Sequence, residues 1–245
     1  MANKVLTHNL SEPLEGATRA RVDINTGTGN LMIDRLPDGE PLLASGTLEY
    51  LLNEGLPTQS VIRSSESASL TLKAKGGSKS WVRLPWSSCN AATDWLIHLN
   101  PAVSSDLTAH SGGGNIKLDL ADMSITRVST DSGGGNIDMV LPDKVADLCA
   151  SARTGAGNVV VELGRGSTGK NTLDATSGAG NVVIRVPGGL AARIHLSTGM
   201  GKAVVDPRFV QLDKNTYESL GYDSAADKVE ITAKSGAGDV SVSTK

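Results

Sequence analysis

Seven times along the chain a Ser or Thr is followed by Gly-x-Gly, and each time a strand-like run stands on either side. The glycine pairs are Gly27 with Gly29, Gly112 with Gly114, Gly133 with Gly135, Gly155 with Gly157, Gly178 with Gly180, Gly199 with Gly201, and Gly236 with Gly238. The residue after the second glycine is Asn at 30, 115, 136, 158 and 181, then Lys202 and Asp239. Glycine adopts positive φ without steric cost, so Gly-x-Gly reads as a sharp corner. The flanking hydroxyls and amides can hydrogen-bond the backbone around it.

Before each corner the pattern has a period of two. Three and five places before the first glycine stand Ile24 and Val22, Ala109 and Leu107, Thr130 and Val128, Ala152 and Ala150, Ala175 and Leu173, Leu196 and Ile194, Ala233 and Ile231. The position between them is polar each time, as in Asp23, Ser151 and Asp174. Such alternation describes a strand with one dry face and one wet face. After the corner it resumes, as in Val159 with Val161.

From Gly112 onward the first glycines are 21, 22, 23, 21 and 37 residues apart. One such unit cannot bury its dry face alone, whereas stacked units share a core. The expected fold is therefore all-β: a single-stranded β-helix, or β-solenoid, with about 21–23 residues per coil. The Asn column would form a ladder along it. The alternative is a β-sandwich in which each Gly-x-Gly is a hairpin loop.

Residues 1–103 are expected to form an N-terminal antiparallel β region that includes the first repeat and caps the open edge of the array. Within it, residues 42–51, 61–63, 68–73, 81–84 and 94–99 read as strands. Residues 104–245 are the repeat array, with an inserted loop at 206–227. The unit at 228–242 is expected to close it. All seven aromatic residues lie outside the regular array, so its core is expected to be filled by Val, Ile, Leu and Ala.

The net charge is -3 and no Lys/Arg cluster occurs, which argues against nucleic acid and against a polybasic membrane contact. No apolar run is long enough for a membrane helix, and residues 1–12 lack the apolar centre of a signal peptide. The expected location is the cytoplasm, or the envelope if the chain is part of something longer. Cys89 and Cys149 have no metal-ligand spacing and are expected to be unpaired.

Residues 164–171, Gly-Arg-Gly-Ser-Thr-Gly-Lys-Asn, nearly match two phosphate-binding loops. Both need a following helix N-terminus, and here a strand follows, so no nucleotide site is expected. The corners lack the nonapeptide period and fixed Asp of calcium-binding rolls. His8, His98, His110 and His195 fall in unrelated columns, and no carboxylate pair assembles on adjacent coils. No catalytic, cofactor or metal residue is therefore expected. Binding hot spots favour Trp, Tyr and Arg, so the candidate partner surface is Tyr217 and Tyr222, read as exposed in a polar loop, with Trp86.

Several stretches together resemble the bacterial toast-rack proteins: residues 22–31, residues 95–101, the Ser-Gly-Gly-Gly-Asn corners and the ending from Tyr222 to Val242. That group includes adhesin-like proteins of unknown function. It also includes the C-terminal domain of membrane proteins of the cell-wall-antibiotic response. The resemblance implies a β-helix-like fold and a non-enzymatic role, binding a protein or an envelope component in envelope stress or adhesion. Two other readings remain: a small-ligand or carbohydrate module using Trp81, Trp86 or Trp95, and a β-helix enzyme acting on polysaccharide. The oligomeric state is left open.

Overall fold

The computed structural model describes residues 4–75 and 93–245. The chain enters through β1 (Val5–Pro13), then forms β2 (Arg19–Asn25) and β3 (Leu31–Arg35) around the first corner. Next come β4 (Leu42–Leu51), β5 (Thr58–Ser64), β6 (Ser67–Lys73) and β7 (Trp95–Leu99). The regular units follow as β8 (Ser104–Ser111) with β9 (Ile116–Asp119), β10 (Ile125–Ser132) with β11 (Ile137–Val140), and β12 (Cys149–Ala156) with β13 (Val159–Glu162). Then come β14 (Lys170–Ala179) with β15 (Val182–Val186) and β16 (Ala191–Met200) with β17 (Ala203–Val205). A hairpin of β18 (Phe209–Gln211) and β19 (Thr216–Ser219) and a 3-10 turn at Tyr222–Ser224 precede β20 (Lys228–Ala237) and β21 (Val240–Thr244).

Two large sheets result, of ten and eleven strands, with no closed barrel. Strands joined by a corner never pair with each other. β8 lies in one sheet and β9 in the other, which excludes hairpins at the corners. Each unit thus places one strand in each sheet and forms one rung of the stack. Successive rungs pair in parallel and in register: Leu107 with Val128, Val128 with Ala150, Ala150 with Leu173. These are the columns of the sequence pattern.

Inward side chains from both sheets meet in one core that runs the length of the stack. Just behind the buried hydroxyls that precede the corners, the inward column is mostly small: Ala109, Thr130, Ala152, Ala175 and Ala233. Farther in it widens to Leu107, Val128, Leu173 and Ile231. Each buried Val or Leu contributes roughly 1.5–3 kcal/mol, but only while a neighbouring rung keeps it dry. The stack is therefore stabilised collectively.

The glycines of the corner have a second cause beyond backbone freedom. A Cβ on Gly114 would fall on the carbonyl of Gly29, one on Gly135 on that of Gly114, and one on Gly157 on that of Gly135. Close stacking alone would require glycine there. By contrast, the middle position at Gly113 and Gly134 is open.

The two ends depart from expectation. At the N-terminal end, β6 and β7 pair in parallel with β2 and β3, forming a further rung outside the first repeat. Only the outer strands are antiparallel: β5 on β6, β4 on β7 and β1 on β4. At the other end, the unit at 228–242 does not close the stack. β20 lies between β14 and β16, and β21 between β15 and β17. The terminal rung in space is β16 with β17, because the columns of all these units match and any of them fits any neighbour. The expected strand at 81–84 lies outside the described residues.

Candidate recognition surface

The corner row is saturated by its own hydrogen bonds. The Asn30 side-chain oxygen accepts the Asn115 N–H at 2.9 Å, Asn115 that of Asn136 at 2.9 Å, and Asn136 that of Asn158 at 2.8 Å. The ladder continues through Asn158 to Asn181, Asn181 to Asp239, and Asp239 to Lys202. Beside it, six of the seven hydroxyls before a corner donate to the second-glycine carbonyl of the adjacent rung, as Ser177 does to Gly157 at 2.7 Å, while Thr26 donates to Gly29 of its own corner at 2.9 Å. Lys202 stands on the terminal rung, where no further N–H needs an acceptor. The two departures from Asn are thus positional: Asp239 keeps an acceptor oxygen, and Lys202 has none to supply.

Residues 164–169 form a turn between β13 and β14, Lys170 and Asn171 begin β14, and no helix follows. Several of the N–H groups that a phosphate would need are already taken. Arg165 donates to Asp143, Gly169 to Asp227 at 2.9 Å and Lys170 to Asp147 at 2.9 Å. Three carboxylates around the loop would repel an anion.

The histidines are held one at a time. His98 contacts Asp34, His110 lies 3.4 Å from Asp131, and His195 lies 3.5 Å from Glu230. Among the described residues no three His, Cys, Asp or Glu side chains are placed to hold a metal ion. Cys149 is a free, exposed thiol, and Cys89 lies outside the described residues.

Trp86 also lies outside the described residues, and the expected exposure of the two tyrosines is corrected. Tyr222 is buried, with the Arg193 guanidinium 4.3 Å and the Lys228 ammonium 5.0 Å from its ring centroid. Burial, with Glu230 nearby, raises its phenol above the usual range. Arg193 also holds Glu218 at 2.6 Å and Asp223 at 2.8 Å, so the whole 214–223 segment is clasped to β16. Tyr217 is half-buried on β19, opposite Ile194, and packs against the core. An aromatic in a polar loop looks exposed in sequence because the cations over its ring, Arg193 and Lys228, lie on the neighbouring strands β16 and β20 rather than in the loop.

Among the described residues, five exposed large apolar side chains lie toward this same end of the stack, and four others, Met32, Leu52, Leu56 and Ile62, lie in the N-terminal strands and turns. Met200, Val204, Val210, Leu212 and Leu220 are all exposed, Leu220 at 85% and Met200 at 72%. Val204 lies on β17, which among the described residues ends its sheet and pairs only with β21. The other sheet is covered there by β18 and β19, anchored through Arg208, which donates to the carbonyls of Gly188 at 2.8 Å and Pro187 at 3.2 Å. Asp206 sits at the start of this cap and is held below the usual carboxylate range, first by the Arg208 N–H and then by Thr244. Met200 holds the outward middle position of its corner and Val204 pairs with Ser241 in an outward column, while Val210, Leu212 and Leu220 lie in the hairpin cap and just after it. Sequence reasoning missed the group because these residues are far from one another in the repeat pattern.

Among the described residues no helix is long and apolar enough to cross a membrane. Over residues 1–162 the chain matches the family described as the N-terminal domain of toast_rack, DUF2154. No protein of curated function matches it. A solved structure from Clostridium sporogenes ATCC 15579, a "putative cell adhesion protein", is similar with a TM-score of 0.70 at 19% identity, covering 99% of this chain and 100% of that one. At that identity the likeness is one of fold. A "putative adhesin" from Bacteroides fragilis NCTC 9343 aligns with a TM-score of 0.32 at 11% identity over 99% and 97% of the two chains. Another, from Parabacteroides distasonis ATCC 8503, aligns at 0.30 and 9% over 98% of each.

Proposed function

Since the chain belongs to the toast-rack family, we propose that it is a non-enzymatic β-solenoid scaffold that binds a protein or cell-envelope component through the C-terminal end of its stack. The single-stranded β-helix reading is supported by one strand per sheet in each rung and parallel, in-register stacking. The recognition reading is carried by the exposed apolar group Met200, Val204, Val210, Leu212 and Leu220 beside the open edge of β17. Apolar area on a pre-ordered surface binds without the cost of ordering it first. The similarity to a protein named for cell adhesion supports an envelope partner. Envelope association and a part in adhesion or envelope stress belong to this same reading.

The test uses the full chain, fluorescently labelled, with isolated bacterial membranes and separately with peptidoglycan sacculi. Saturable binding to one of them is expected, weakened at least roughly tenfold by Leu212→Asp with Leu220→Asp, because each lost apolar contact is worth about 1–2 kcal/mol. Unchanged circular dichroism would show that the fold survives. Binding unaffected by both substitutions, or absent from both preparations, would overturn the proposal.

A further inference from the structure

The C-terminal rung is intercalated, and both faces it touches are chemically equivalent to every other rung boundary. On one side Ser235 donates to the Gly180 carbonyl at 2.8 Å and the Asp239 N–H donates to Asn181 at 2.8 Å. On the other side Thr198 donates to the Gly238 carbonyl at 2.8 Å and the Lys202 N–H to Asp239 at 2.8 Å. Were β20 and β21 withdrawn, Thr198 could take the Gly180 carbonyl and Lys202 the Asn181 oxygen. β16 and β17 would then close on β14 and β15 with the same types of bond.

Chain length permits that closure. Asp119, Val140, Glu162 and Arg185 occupy one column, and Ser129, Ser151, Asp174 and His195 the next along the winding. The separations are 10, 11, 12 and 10 residues. The last connection crosses two rung steps rather than one, yet it is no longer than the others. Direct stacking would therefore relieve this connection of an extra strand spacing of about 4.8 Å.

The rung is also tethered for movement. Residues 220–227 link β19 to β20, a segment that fully extended reaches roughly 27 Å. Its one buried anchor is Tyr222, with Arg193 and Lys228 over its ring, and Lys228 itself begins β20.

We propose that the rung formed by β20 and β21 exchanges between copies of this chain, lodging between β14/β15 and β16/β17 of a second molecule and linking the two. Every bond lost within one chain is regained in the other, so the cost lies in the tether and in the loss of independent motion. A second copy is the occupant that supplies the right columns: Ala233 and Ile231 inward, Ser235 and Asp239 at the corner.

The test uses the full chain with Cys89→Ser and Cys149→Ser. Asp174 and Thr232 are register partners across β14 and β20. Directly opposed positions of that kind lie within disulfide reach. One preparation carries Asp174→Cys and another, with a mass tag, carries Thr232→Cys. Mixed at high concentration, warmed to just below the melting midpoint and oxidised, they should give a disulfide-linked heterodimer. Its yield should rise with concentration and exceed by roughly tenfold that of a control pair, Thr71→Cys with Thr232→Cys. The chain bearing both Asp174→Cys and Thr232→Cys should crosslink within itself, which shows that the substituted strands still pair. Once crosslinked it should no longer exchange. A heterodimer yield at the control level, with the internal crosslink formed, would overturn the proposal.

Discussion

The side-chain oxygen of Asn158 accepts the backbone N–H of Asn181 at 2.9 Å, while the Asn158 N–H is itself held by Asn136. Each Asn is thus both a step in the ladder and the acceptor for the next step. Removing one leaves a donor of the following rung without its partner. Asn158→Ala should lower stability by about 1 kcal/mol, the worth of one net hydrogen bond. Asn158→Asp keeps the acceptor oxygen, as Asp239 does naturally, and should cost clearly less. Urea melts of the three proteins check the ranking, and equal losses for Ala and Asp would contradict it.

The corner glycines separate into two kinds. Gly157 has a φ of 151° and a Cβ there would fall on the Gly135 carbonyl, whereas nothing lies within 4 Å of a Cβ at Gly134. Gly157→Ala should therefore destabilise by about 3 kcal/mol or more. Gly134→Ala should change stability by less than about 0.5 kcal/mol, since sister corners already carry Ala156, Ala179 and Ala237 at that place. Denaturation midpoints at constant slope decide the matter, and similar losses at both positions would contradict it.

Asp206 contributes stability that depends on pH. The Arg208 N–H at 3.0 Å, then Thr244, keep its folded-state proton affinity below the ordinary aspartate value. Around that value, about 3.9, the unfolded chain binds more protons than the folded one. The contribution is therefore complete above about pH 4 and disappears as pH falls through the depressed folded value. Asp206→Asn should melt below the parent at neutral pH, with the gap closing on acidification below about pH 4. A gap that stays constant across that range would contradict this role.

Much of the fold was legible because a two-residue period and a recurring corner encode both the strand faces and the register. Leu107, Val128, Ala150 and Leu173 stand in one buried column in sequence and in space. The order of rungs at the C-terminal end was not legible, since Ile231 and Ile194 satisfy the same column equally well. Lys202 is the local trace of that order, as the one corner residue without an acceptor. β1 was also missed. Its sequence is mostly polar, and its buried Glu12 is matched by Gln59 and Arg63, 47 and 51 residues away. The candidate site was least legible. Exposure of Leu212 and Leu220, and burial of Tyr222, depend on which rung ends the stack and on Arg193 and Lys228 folding over one ring.

Hydrogen–deuterium exchange of the full chain, with and without the envelope preparation it binds, tests the recognition surface most directly. Added protection is expected in residues 200–220, across β17, β18 and β19, and none along β10–β13 in the middle of the stack. Protection confined to the middle rungs or to the N-terminal strands β1 and β5 would contradict it.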